Sequence, residues 1–358
     1  MATYILRRIL LTIPVLFGIL VLVFFLSRVL PGSQCYALLG EHATAAQCAA
    51  FDHAQGLDRP IPVQFADYLG KVGTGDFGTS IRTSTPVTTL LIQRLPLTIE
   101  LAFFALFFAT IGGVVLGIIS AYRRNSAVDV VTVAGANIGV SIPIFVLGLL
   151  LAYVFAVALK GTPFALPPSG RLTPGTDIVP LAVRWGLTGL QGPPRAFLDF
   201  ISNMYTLNGL LSAQWAIFWD AFRHMLLPAI VLGTIPLAII TRITRSSLLD
   251  VLGLDYIRTA RAKGLNDRAV VRAHALPNAI LPVVTIIGLQ VGSLLGGAIL
   301  TETVFNMAGV GRAVGEAIAT RDYSVVQGFV LVIAIGFLIV NLIVDISYGF
   351  LDPRVRVS

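Results

Sequence analysis

The sequence predicts an all-α membrane protein with six spans and large segments outside the bilayer. Composition, the spacing of charged residues and the placement of basic residues carry that reading. Of 358 residues, 56% are hydrophobic and 12% charged, far from the balance of a soluble domain. Six uncharged runs are long enough to cross a hydrocarbon core, which takes roughly 20 helical residues. Arg8 and Arg28 bracket 19 such residues, Glu100 and Arg123 bracket 22, and Asp129 and Lys160 bracket 30. His224 and Arg242 bracket 17, Arg272 and Glu302 bracket 29, and Asp322 and Asp345 bracket 22. With six spans, Arg7/Arg8, Arg123/Arg124, the stretch Arg242–Arg272 and Arg354/Arg356 share one side and hold 13 of the 25 basic residues. The positive-inside rule makes that side, and both termini, cytoplasmic.

Taken in order, residues 1–30 form an N-terminal transmembrane helix. Arg7 and Arg8 before an apolar core resemble a secretory leader, but the run is long and SRVLPGSQ offers no small-x-small cleavage site, so it is expected to stay as an anchor. Residues 31–96 form an extracytoplasmic segment with both cysteines, Cys35 and Cys48. In that compartment they can close a disulfide, with two independent buried thiols as the alternative. Residues 97–352 form the main transmembrane domain, with an extracytoplasmic insertion at 160–224 and a cytoplasmic segment at 243–275. Within the insertion, Phe200–Trp219 is uncharged but carries Ser202, Asn203, Asn208, Ser212 and Gln214. That polar content favours an external amphipathic or re-entrant segment over a span. The fourth span is short and contains Pro228 and Pro236, which bend it. Gly112, Gly113 and Gly117 in the second span, and Gly292 and Gly296 in the fifth, have the spacing of close helix packing.

No catalytic constellation emerges. His42, His53, His224 and His274 lack a metal-binding spacing, and there is no Gly-rich loop followed by Lys-Ser/Thr, so neither a metal nor a nucleotide is expected on this chain. The net charge of +7 resides partly in membrane-proximal loops and is no sign of nucleic-acid binding. Asn137, Ser141, Gln290 and Asn341 are polar groups inside spans, suited to lining a pathway or to hydrogen bonding between helices.

The segment Asp250–Arg272 is the most informative. Leu254, Ile257, Ala260, Gly264 and Leu265 recur at helical intervals, with Arg258, Arg261, Lys263 and Arg268 between them. Gly264 is expected to divide two short helices, with Asn266 or Asp267 capping the second. Pro277 is expected to follow that helix and mark the return to the membrane. The result is a cytoplasmic knob joined directly to two membrane helices.

YIRTARAKGLNDRAVVRAHALPNAILP resembles the cytoplasmic coupling motif of ABC importer permeases. The family pattern Glu-Ala-Ala-x-x-x-Gly, nine residues, then Ile-x-Leu-Pro falls on Arg258, Thr259, Ala260, Gly264, His274, Leu276 and Pro277. Arg258, Thr259 and His274 depart from the generic pattern, in the form usual for the B-type subunit of the dipeptide/oligopeptide branch. GDFGTSI, RLPLTIELA, LPPSGR, RITRSSLLDVL, TETVFNMAGVGR and NLIVDISYGFLDPRVR carry the likeness across the chain; Ala308 stands where the family commonly has proline. The resemblance implies a six-helix, MetI-like permease bundle in a bacterial inner membrane. It also implies coupling to an ATPase through Tyr256, Arg258, Thr259, Ala260, Arg261, Gly264, Leu265, Leu276 and Pro277. Expected partners are a homologous second permease, two ATPase subunits holding ATP and Mg, an extracytoplasmic substrate-binding protein and membrane lipid. Di- or oligopeptides are the expected cargo, with glutathione, nickel or oligosaccharides as alternatives. An ion-coupled secondary transporter is the more remote reading, disfavoured because Glu100, Glu302 and Asp345 fall near span ends.

Overall fold

The computed structural model describes residues 2–29, 33–40 and 42–351. Glu41, Arg354 and Arg356 lie outside the described residues. The described chain is helical, and its one β contact is an isolated bridge between Thr79 and Pro86. The helices in chain order are α1 (Ala2–Val29), α2 (Gln34–Leu39), α3 (Ala45–Gln55), α4 (Ile61–Gly73) and α5 (Val87–Tyr122). Then come α6 (Ala127–Ser141), α7 (Ile144–Ala152, continued by a π-helical turn Tyr153–Ala158), α8 (Leu181–Arg184), α9 (Pro193–Ser202) and α10 (Tyr205–Leu211). The last are α11 (Trp215–Leu252), α12 (Asp255–Ala262), α13 (Asp267–Ala269), α14 (Leu276–Val304), α15 (Val310–Ala319) and α16 (Tyr323–Leu351).

Among the described residues, five helices or helical runs are long and apolar enough to span a membrane: α1, α5, α11, α13 through α14, and α16. The sixth expected span is broken. Pro143 ends α6, because a proline's ring excludes the helical conformation from the residue before it, and α6 and α7 are bent by 104°. The pair still carries the chain from one end of the bundle to the other. Asp129 near the start of α6 pairs with Arg245 close to the knob, whereas the Gly170 N–H, beyond α7, donates to Phe305 O at the far end of α14. Gln327 Nε2 donates to Ser27 Oγ at that same far end, which brings the start of α1 and the end of α16 to the knob end.

The core is the pairing of α5 and α11, with α14 laid across both. Small residues permit it. A Cβ at Gly113 would stand 2.8 Å from Ile240, and one at Gly117 2.6 Å from Thr244, so α5 meets α11 through its glycines. Gly292 receives Phe337 of α16 in the same way, but Gly296 has open space around it, so only half of that expected pair is used. Leu97, Leu101, Leu227, Leu232, Leu294 and Phe305 fill the contact with apolar volume. The outer surface stays apolar, with Phe103, Val130, Val131 and Ile138 all exposed, as lipid contact requires.

Two boundaries differ from the sequence expectation. α5 begins at Val87 instead of 97, and α11 at Trp215 instead of 225, because uncharged runs mark the hydrocarbon core and not the ends of the helices. Phe200–Trp219 forms no span of its own. It is divided between the ends of α9, α10 and α11, with Ser202, Asn208 and Ser212 buried and hydrogen-bonded. Cys35 and Cys48 are joined Sγ to Sγ, their Cα atoms 5.3 Å apart, which ties α2 to α3.

Candidate functional site

The knob stands at one end of the bundle between α11 and α14. α12 is strongly amphipathic, and only Ile257 and Ala260 are buried along it. They pack with Ala121 of α5, Leu248 of α11, and Val270, Val271, Ala275 and Ala279 on the way into α14. Three membrane helices therefore share one apolar patch with α12. Tyr256 adds a polar tie, its hydroxyl accepting from Asn278 Nδ2 at 3.0 Å in the first turns of α14.

Gly264 adopts φ +82°, in the left-handed region that side chains resist, and turns the chain out of α12. The Asn266 side chain then accepts from the Ala269 N–H at 2.8 Å and caps α13. Arg261 reaches across the turn to Asp267, with 3.4 Å between Nε and Oδ1. Both features follow the sequence expectation.

Ala260 faces inward at 7% exposure and packs the knob against the bundle. One sequence assignment needs correction. Pro277 does not follow a finished helix. α13 runs through a π-helical stretch, Val270–Ala275, straight into α14, and Leu276 and Pro277 form that helix's first turn. A widened turn ahead of a proline absorbs its ring and its missing N–H without a break. The outer surface of the knob is thus Tyr256, Arg258, Thr259, Arg261, Lys263, Gly264 and Leu265, all exposed. Arg258 pairs with exposed Asp255, at 3.3 Å.

Buried polar clamps brace the helices at both ends, and sequence reading gave them no role beyond bounding uncharged runs. At the knob end, both Asp129 oxygens accept from Arg245 at 2.8 Å, while Ser120 Oγ and the Asn125 N–H donate to the same carboxylate. This fixes the α5–α6 turn to α11. At the far end, Glu100 accepts from the Thr206 N–H at 2.8 Å and lies 3.4 Å from Arg171, whose guanidinium stacks 3.6 Å from the Tyr205 ring centre. Beside it, fully buried Glu302 accepts from Thr98 Oγ1 at 2.6 Å and from the Arg312 N–H at 2.9 Å. These carboxylates are occupied by protein donors, which argues against their use as ion-coupling groups.

The four polar pathway candidates do not form one cluster of hydrogen bonds. Ser141 Oγ donates to Asn137 O at 2.9 Å and both are exposed at the α6–α7 break. Gln290 is buried on α14 and accepts from Ser293 Oγ at 3.2 Å, while Asn341 is half-buried on α16. Among the described residues, no group of three or more His, Cys, Asp or Glu side chains is placed to hold a metal ion.

The sequence of this chain has known counterparts. The sequence model of the binding-protein-dependent transport system inner membrane component matches residues 113–357, and the model of its N-terminal region matches residues 1–102. The chain belongs to this family. It is similar to the dipeptide transport system permease protein DppB of Alkalihalophilus pseudofirmus, 43% identical over 356 residues, covering 99% of this chain and 100% of the relative. The di/tripeptide transport system permease protein DppB of Pseudomonas aeruginosa is 44% identical over 359 residues, covering 99% of each chain. The dipeptide transport system permease protein DppB of Escherichia coli K12 is 42% identical over 367 residues, again covering 99% of each. The protein is accordingly a multi-pass inner-membrane permease subunit of an ABC import complex, a channel component and not its ATPase.

Proposed function

We propose that this permease imports di- or oligopeptides, forming half of a translocation pathway with a homologous second permease. The outer face of α12 receives one of two ATPase subunits, in which ATP and Mg are bound. An extracytoplasmic binding protein delivers substrate at the opposite end, and both termini are cytoplasmic. The observation that carries this reading is the division of α12 into two faces. Ile257 and Ala260 lock it to the ends of α5, α11 and α14, while Arg258, Thr259 and Arg261, with Lys263 just beyond its end, are exposed on the other side.

Force applied to such an element is passed to the bundle, because a close-packed apolar contact does not deform gradually. ATPase closure displaces the knob, and the spans rooted in it move between inward- and outward-open arrangements. The permease performs no covalent step. Its work is differential stabilisation of two conformations by partners at opposite ends. Peptides are favoured over glutathione, nickel or oligosaccharides by the likeness to three relatives that are all dipeptide or di/tripeptide permeases.

Uptake of labelled dipeptide into proteoliposomes holding the whole complex tests the reading. It is expected to need the binding protein and ATP inside the vesicle-equivalent cytoplasmic face. Uptake that survives ATP removal, or a complex that carries nickel and no peptide, contradicts it.

A further inference from the structure

We infer that this permease holds the phosphodiester of a membrane phospholipid in a cavity between α1, α4 and the start of α16. The cavity has about 270 Å³ and is lined by Arg28, Gln64, Tyr68, Lys71, Tyr323 and Gln327 among others. That is just below the roughly 300–1,000 Å³ of pockets for drug-sized ligands, which suits a headgroup better than a peptide.

The charge balance asks for an anion. The lining contains Arg28, Arg59 and Lys71 against Asp67 and Asp76. Arg59 is neutralised by Asp67 at 3.0 Å, and Lys71 and Asp76 balance in number, so the charge left over is that of Arg28. His53, also in the lining, is paired with Asp58 at 2.7 Å. Half-buried Arg28 has no carboxylate within 4.0 Å among the described residues. Its Nε and Nη2 donate to Gln64 Oε1 at 3.0 and 2.7 Å, and Nη1 donates to Phe24 O at 3.2 Å. A guanidinium has five N–H donors, so two remain unspent, in the fork geometry that matches phosphate oxygens. The Tyr68 hydroxyl is buried without a hydrogen-bond partner among the described residues. Burial pushes its phenol up to about 12, so it keeps its proton and remains a donor.

The position favours a lipid as the source of that phosphate. Arg28 closes the spanning run of α1, and only 11% of that run's most apolar window is buried, so this helix lies at the lipid-facing edge of the bundle. Next to the cavity, and outside its own lining, α1 and α4 present an aromatic surface on the side of Arg28 that faces the spanning run. Phe65 of α4 lies 5.0 Å from Phe24 and 6.3 Å from Phe17, and Phe17 and Phe25 are 52% and 44% exposed. A polar cation beside an apolar aromatic surface is the arrangement a headgroup and its acyl chains require. The leaflet, the outer one, rests on the topology proposed above, but the site does not.

Native mass spectrometry of the complex released in mild detergent tests the inference, with a headgroup-photoreactive phosphatidylethanolamine as a second probe. The wild type is expected to retain a phospholipid mass and to be labelled within residues 53–78 or 323–328. Arg28→Gln should lower both signals about ten-fold, the loss that follows removal of a charge-assisted hydrogen-bonding partner. Arg59→Gln, whose cation is already paired, should retain them. If Arg28→Gln does not fold, Tyr68→Phe is expected to weaken labelling in its place. Equal retention in wild type and variants overturns the inference. Protection by inorganic phosphate with no lipid labelling assigns the cavity to a free anion and overturns the lipid source. Loss of peptide uptake bears only on the transport reading, since lipid retention is measured without substrate.

Discussion

Ala260 and Gly264 stand one helical turn apart and serve opposite purposes. Ala260 is wedged among Leu248, Val271 and Ala275, so Ala260→Asp places an unpaired charge in an apolar contact, at a cost of roughly 3 kcal/mol. The expected outcome is a lower thermal transition of the purified permease, with α12 loosened even before any ATPase is added. A Cβ at Gly264 would meet no other atom within 4 Å, so Gly264→Trp is expected to leave membrane insertion and the bundle's melting intact. Its φ of +82° adds about 1–2 kcal/mol of local strain, and its bulk projects from the outer face of the knob. Pull-down of the ATPase by the two variants separates these roles: Gly264→Trp should lose the partner without losing its fold. Sequence spacing located both residues, but an amphipathic period tells which residues share a face and not which face looks inward. Tertiary packing decided that Ala260 is support.

At the scale of elements, the turn at Gly264 and the Asn266 cap were legible because both are local backbone chemistry. The continuity of α13 into α14 was not, since a proline normally signals a boundary and the π-helical stretch that accommodates Pro277 leaves no composition signal. The buried clamps were hidden for a different reason. Asp129 and Arg245 lie 116 positions apart in sequence, and nothing local says that they meet. Asp129→Asn leaves Arg245 without its carboxylate. The expected loss is roughly 2–4 kcal/mol, toward the lower end for broken buried pairs because the Arg245 side chain keeps 27% exposure. Thermal unfolding of the single and double variants with Arg245→Gln measures it, and additive losses would show that the pair does not couple. The link between α2 and α3 makes a separate prediction. Non-reducing peptide mapping of membrane-isolated protein should recover Cys35 and Cys48 joined, and replacing both by serine should cost about 3 kcal/mol for a loop of this length. Two alkylated thiols in freshly prepared membranes contradict it.

For the whole molecule, six uncharged runs predict six crossings, and the described residues hold five helical runs long and apolar enough to cross a membrane and one bent pair. The orientation proposed above rests on the distribution of basic residues, and the contact of Ser27 with Gln327 places the start of α1 and the end of α16 together at the knob end of the bundle. What the spacing could not reveal is how α5, α11 and α14 converge on α12, because that convergence depends on glycine contacts and clamps far apart in the chain. We propose that the exposed face of the knob, on α12 and the turn that follows it, is where an ATPase drives this permease. Site-specific photocrosslinking in the intact complex tests this, with a photoreactive residue placed in turn at Arg258, Lys263, Leu265 and, as the inward control, Ile257. Crosslinks to the ATPase are expected from the three outer positions and none from Ile257. An active complex with crosslinks from none of the outer positions would contradict it.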